Sequence, residues 1–209
     1  MSKPAFFIDD DEFERRSCSD VLQELFADTS VRIEPRAPLP ALADYAALLA
    51  SNAASALILD ERLNTAGGVT YTGAELAAHL RAIGSNLPIV ILTNYPDDDF
   101  TSQGWAVECI VEKKSVLNDP MSPTAQAFKA RLARQIEIAG AVLAERERRY
   151  HDLLVKCADG SLLPEEVAEL RKLEANRIAP IAAAEREKEQ KLDAEIEKLK
   201  RLLGDGKLF

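Results

Sequence analysis

Residues 56–61 read Ala56-Leu57-Ile58-Leu59-Asp60-Glu61: four apolar residues in a row, stopped by a carboxylate. A short unbroken apolar run of this kind is the pattern of a strand covered on both faces. Four more such runs occur, at 5–8, 31–33, 88–92 and 107–111. Amphipathic stretches lie between them, at 13–26, 39–49 and 73–83. Strands alternating with helices predict an α/β fold, a five-stranded parallel sheet wound on both faces. Its expected core holds Val21, Leu22, Leu25, Phe26, Leu57, Leu59, Val90, Leu92, Ile110 and Val111. In such sheets the site lies beyond the carboxyl ends of the strands.

Beyond residue 122 the strand pattern stops. Ser122-Pro123 is a helix start with proline at the first helical position. Helix formers then run to about Lys156, and Asp159-Gly160-Ser161 breaks the run. A second helix is expected from Pro164 to about Leu203, with Pro180 kinking or splitting it. Leu192, Ile196, Leu199 and Leu203 follow a four-three-four spacing, the seam of a coiled coil or a packed helix pair. This predicts a homodimer built on the C-terminal helices, to which Phe128, Leu132, Val142 and Leu143 would add apolar positions. The alternative is a hairpin closed within one chain.

The composition narrows the function classes. The chain has 209 residues, 47% of them apolar and 29% charged, which is ordinary for a folded globular protein. No apolar run approaches the ~18 residues of a membrane span. The acidic turn after residue 8 argues against a secretory leader. Three scattered cysteines and two histidines make neither a disulfide framework nor a zinc site, and suit a reducing cytoplasm. Residues 1–120 carry 19 Asp/Glu against 9 Lys/Arg, so that part would repel a nucleic-acid backbone. Residues 121–209 are balanced, with 16 acidic and 17 basic side chains, and show no DNA-binding motif.

The strand ends carry the chemistry. The first run ends in Asp9-Asp10-Asp11, the third in Asp60, the fourth in Thr93 and the fifth in Lys113-Lys114. In a parallel sheet these ends meet. Converging carboxylates repel unless a cation neutralises them, and oxygen ligands suit Mg²⁺. A carboxylate nucleophile, a divalent cation, a hydroxyl and a lysine together suit phosphoryl transfer. Taken singly, each of these ends is an ordinary polar strand terminus; their order along the chain gives the reading its weight.

FFIDDDEFERR (6–16), ALILDERL (56–63), PIVILTN (88–94) and CIVEKK (109–114) resemble the motifs of response-regulator receiver domains in two-component signalling. The resemblance spans roughly residues 4–140. It implies a flavodoxin-like receiver over 1–140; the helix pattern above then makes 141–209 a long-helix, coiled-coil extension that continues the receiver's last helix. It implies that Asp60 accepts a phosphoryl group from a phosphohistidine on a sensor histidine kinase or phosphotransfer protein. Asp9, Asp10, Asp60 and the backbone carbonyl of Arg62 would hold Mg²⁺, while Thr93 and Lys113 contact the phosphoryl oxygens. Such a protein is a regulator rather than an enzyme.

The sequence departs from that family at four places. The segment 61–73 is longer than usual and has no proline. Lys114 stands where a proline is common; Lys113 is taken as the site lysine, with Lys114 as the alternative. Ile110 stands at the usual aromatic switch position, and Asn94 follows Thr93. Asp97-Asp98-Asp99 is read as the start of a fourth helix. Two other functions compete: a pseudo-receiver acting as an interaction scaffold, and a haloacid-dehalogenase-like phosphatase using Asp9 and Asp11.

Overall fold

A computed structural model describes residues 4–51, 54–96, 100 and 104–204. Five strands, β1 (Ala5–Ile8), β2 (Ile33–Arg36), β3 (Ala56–Asp60), β4 (Ile89–Thr93) and β5 (Cys109–Glu112), form one sheet in the order β2-β1-β3-β4-β5. All four pairings are parallel. This order is one of the common doubly wound arrangements.

Strand alternation divides the apolar residues between two faces. Phe7, Ile58, Val90 and Leu92 face α1 (Glu12–Leu25) and the start of α5 (Pro123–Ala158). Phe6, Leu57, Leu59 and Ile91 face α2 (Tyr45–Ala50) and α3 (Gly73–Ala82). β1, β3 and β4 are buried throughout. Hence they read as unbroken apolar runs.

The edge strands depart from the sequence reading. β2 begins at Ile33 and continues through Glu34-Pro35-Arg36, although the apolar run was 31–33. An edge strand pairs on one side only, so a proline and charges are tolerated there. β5 is the other edge, so Ile110 and Val111 are half-buried rather than core residues. Val21 is likewise half-buried, on the flank of α1. The other seven expected core residues are buried. Asp97–Asp99 lies outside the described residues; next to it, the structure describes a 3-10 turn at Gly104–Ala106.

β5 leads into a short helix, α4 (Lys113–Leu117). Ser122 then caps α5 by accepting from Ala125 N, with proline in the first turn as the sequence suggested. At 36 residues α5 is about 54 Å long, and it passes residue 140 unbroken. Its first turns belong to the core: Phe128 and Leu132 are buried, with Phe128 edge-on to Phe26 at 6.2 Å between ring centroids. Neither is therefore available to a second chain, contrary to the sequence expectation. Val142 and Leu143 are exposed.

α6 (Pro164–Gly204) returns along α5 and continues onto α2. It runs through position 180 as one helix, so Pro180 does not split it. Ion pairs tie the turn between α5 and α6, with Arg149 to Glu169 at 2.6 Å and Lys156 to Glu166 at 2.5 Å. Lys191 pairs with Asp44, just ahead of α2. No helix among the described residues is long and apolar enough to cross a membrane.

Glu166 gives this turn a pH dependence. Its carboxylate is buried, bonded to Lys156 and to the backbone N–H of Leu163, and these bonds hold its pKa below the ordinary 4.5. A lowered acid pKa contributes stability that is present above 4.5 and disappears as pH falls through the lowered value. Below about pH 4.5, the protection factors of the amides at the α5–α6 turn should fall. In Glu166→Gln the turn should exchange faster already at pH 7, with a flatter acid profile.

Candidate phosphoryl-acceptor site

The register brings the strand ends together. Ile8 pairs with Leu59, so Asp9 and Asp60 leave adjacent strands side by side. Asp60 pairs with Leu92, which sets Thr93 one residue beyond on the next strand. Thr93 pairs with Glu112, and Lys113 follows at once. Asp9, Asp60, Thr93 and Lys113 are all buried.

Lys113 organises the cluster. Its Nζ lies 2.8 Å from Asp9 Oδ2 and 2.7 Å from Asp60 Oδ1. Lys114, the alternative, is exposed. The other Asp60 oxygen accepts from Arg62 N at 2.9 Å, and the other Asp9 oxygen from Asp11 N at 3.0 Å. Burial pushes the Asp9 carboxyl above its ordinary value, against the pull of Lys113. Burial also disfavours the Lys113 charge, but Asp60 and Asp9 outweigh it and raise the ammonium pKa. The two carboxylates therefore hold the ammonium charged in a site that water reaches poorly, while burial works against the charge on Asp9.

The remaining strand-end residues have other partners. Asp10 Oδ2 accepts from Ala66 N at 2.5 Å, which ties the 61–73 loop to the segment after β1. Asp11 caps α1, accepting from Phe13 N at 2.8 Å and Glu14 N at 2.9 Å. Thr93 Oγ1 accepts from Tyr95 N at 3.0 Å. The Arg62 carbonyl accepts from Thr65 Oγ1 at 3.0 Å. No group of three or more acidic, histidine or cysteine side chains among the described residues is gathered as a metal cluster. In kind the donors fit a hard divalent cation: carboxylate and carbonyl oxygens only, beside a buried acid whose charge desolvation penalises.

Three contacts here had no signal in the sequence. Arg15 Nη1 donates to the Asp9 carbonyl at 2.5 Å, fixing the turn after β1. The Arg62 guanidinium stacks on the Tyr95 ring, 3.4 Å from its centroid, joining the loops after β3 and β4. The 61–73 loop is anchored by its own buried Leu63, Val69 and Tyr71, and Tyr71 donates to the Leu39 carbonyl.

Gly73, the first residue of α3, is packed against the acceptor strand. A Cβ there would stand 2.3 Å from the Asp60 carbonyl oxygen, while Gly73 N donates to the Glu61 carbonyl at 2.9 Å. A central strand cannot retreat cheaply. Gly73→Ala should cost about 1–3 kcal/mol by overpacking and shift the Asp60 backbone. Chemical denaturation would measure the cost, and backbone amide shifts at 60–62 the displacement.

No protein-family model matches the chain, and no curated protein matches it. Solved structures do match. The response regulator TrrA of Thermotoga maritima, in complex with Mg²⁺-BeF, is 18% identical, with a TM-score of 0.45 over 64% of this chain and 99% of its own. The same regulator in complex with the histidine kinase ThkA is 19% identical, with a TM-score of 0.46 over 64% and 98%. A CheY-like receiver-domain protein from Methanospirillum hungatei JF-1 is 15% identical, with a TM-score of 0.46 over 66% and 98%. These three structures are of response regulators, and each match takes in 64–66% of this chain.

Proposed function

We propose that the chain is a phosphoryl-accepting receiver in two-component signalling, with Asp60 as the acceptor. The reading rests on one observation above all. A buried ammonium, Lys113, bridges Asp9 and Asp60 at 2.8 and 2.7 Å beside the buried hydroxyl of Thr93. An Asp60 oxygen attacks the phosphorus of a phosphohistidine on a sensor histidine kinase or phosphotransfer protein. The P–N bond breaks, its electron pair stays on the imidazole nitrogen, and that nitrogen takes a proton from solvent. Lys113 leaves Asp60 for a phosphoryl oxygen as charge moves from the carboxylate to the phosphoryl group. Thr93 offers its hydroxyl to a second oxygen. Mg²⁺ held by Asp9, Asp10, Asp60 and the Arg62 carbonyl would neutralise the repulsion between the carboxylate and the incoming dianion.

In this reading the chain is a cytoplasmic regulator rather than an enzyme, and loses its phosphoryl group by slow hydrolysis. Residues 1–140 receive the signal. The helices of 141–209 carry it onward as a homodimer.

One observation favours a second reading, a pseudo-receiver that takes no phosphoryl group: Asp10 is bonded to Ala66 N and not gathered with Asp9 and Asp60. The phosphatase reading is weakened because it needs Asp11, whose carboxylate is engaged in capping α1. Incubation of the full chain with phosphoramidate, with and without Mg²⁺, separates these readings by intact mass. The receiver gains one phosphoryl group, and only with Mg²⁺. Asp10→Asn should still be labelled but need about tenfold more Mg²⁺, since one charged ligand is lost. No gain of mass in the unmodified chain would favour the pseudo-receiver.

A further inference from the structure

Leu192, Ile196 and Leu199 stand 57%, 39% and 58% exposed, although α6 is packed on α2. Lys191 reaches Asp44, but every side chain of α6 from Lys188 to Lys200 is exposed, so the seam stands open on a stretch of helix that the α/β domain does not cover.

The residues beside the seam select its occupant. In heptad terms Leu192 and Leu199 are d positions and Ile196 and Leu203 a positions; only Ile196 of the two a residues is β-branched, so the choice of a parallel two-stranded coil rests on the flanking charges. Lys188 and Glu195 then fall at g, Asp193 and Lys200 at e, and all four are exposed. In a parallel, in-register pair each g side chain faces the e position five residues on in the other helix. Lys188 meets Asp193 of a second copy, and Glu195 meets Lys200. Symmetry doubles both contacts, and every one is attractive. An antiparallel pair would match Asp193 with Lys200 but leave Lys188 and Glu195 unmatched. Lys200 now bonds Glu197 in its own helix at 2.8 Å, an exposed pair that exchanges at little cost.

We infer that the end of α6 forms a parallel, in-register coiled coil with a second copy of this chain. This gives the self-association proposed above a partner face and a register. It does not depend on whether Asp60 accepts a phosphoryl group, and the experiment below does not read labelling.

The test uses the full chain with Cys157→Ser, because Cys157 is exposed and would itself cross-link. Sedimentation at tens of micromolar should give a dimer. Leu199→Glu should give a monomer with unchanged melting of the α/β domain, since Leu199 is exposed in the single chain. Lys188→Glu should raise the dimer dissociation constant about fivefold, because two exposed pairs turn repulsive. Leu199→Cys should oxidise to a covalent dimer through the same position in both copies. A wild-type monomer, or a dimer that survives Leu199→Glu, would overturn the inference. So would a dimer indifferent to Lys188→Glu, or one that fails to cross-link at Leu199→Cys.

Discussion

Asp60→Asn should keep its fold and lose all Mg²⁺-dependent labelling by a small phosphodonor. The loss is complete because an amide oxygen is a poor nucleophile toward phosphorus and no other carboxylate is equivalently held. Asp60 ends a fully buried strand, and its second oxygen is pinned by Arg62 N at 2.9 Å. Asp9 is turned toward Asp11 N and Lys113, while Asp10 and Asp11 are engaged with Ala66 N and with the start of α1. The fold survives because Lys113 keeps Asp9 as its counter-charge at 2.8 Å. The cost should stay below the ~3–5 kcal/mol of stranding a buried charge. Circular dichroism and thermal melting report the fold, and intact mass reports the labelling.

Leu59→Ala should destabilise the α/β domain by roughly 2–5 kcal/mol in denaturant unfolding, more than Gly73→Ala or Asp60→Asn. Leu59 is 0% exposed, on the middle strand of five, against the α2–α3 face. Strands on both sides and helices above leave little scope for the cavity to close. The loss should also reach the site, because Asp60 follows directly and Gly73 already packs on its carbonyl. A cost under about 1 kcal/mol would mean that the sheet relaxes around the gap.

The interior of the fold was legible because burial on both faces leaves a plain mark. The runs ending at Ile8, Leu59 and Leu92 are apolar without a break, and each became a central strand. The edges were legible only in part. Glu34, Pro35 and Arg36 carry no strand signal, and only their pairing with Phe6, Phe7 and Ile8 makes them β2. The half-burial of Ile110 follows from β5 having one neighbour, which composition cannot reveal. In the site, the order Asp, Asp, Thr, Lys along the chain implied convergence, because a parallel sheet brings every strand end to one edge. What the sequence could not carry was how the side chains turn. It placed Asp10 and Asp9 alike at the end of strand 1. In the structure one bonds the loop and the other bonds Lys113. That Lys113 is buried against the two aspartates while Lys114 is exposed likewise shows only in the structure, since both follow the same strand. In the tail, the four-three-four seam was plain, but which apolar residues of α5 belong to the core was not: Phe128 and Leu132 differ from Val142 only in what lies beside them.

The proposed acceptor of the phosphoryl group is Asp60, at the end of the middle strand. Tandem mass spectrometry of the Mg²⁺-labelled full chain tests it most directly, after borohydride reduction to trap the acyl phosphate. A single modified residue at Asp60 is the predicted result. Modification at Asp9 or Asp11 with Asp60 untouched would contradict it, and would move the chemistry from the receiver arrangement to the phosphatase-like one.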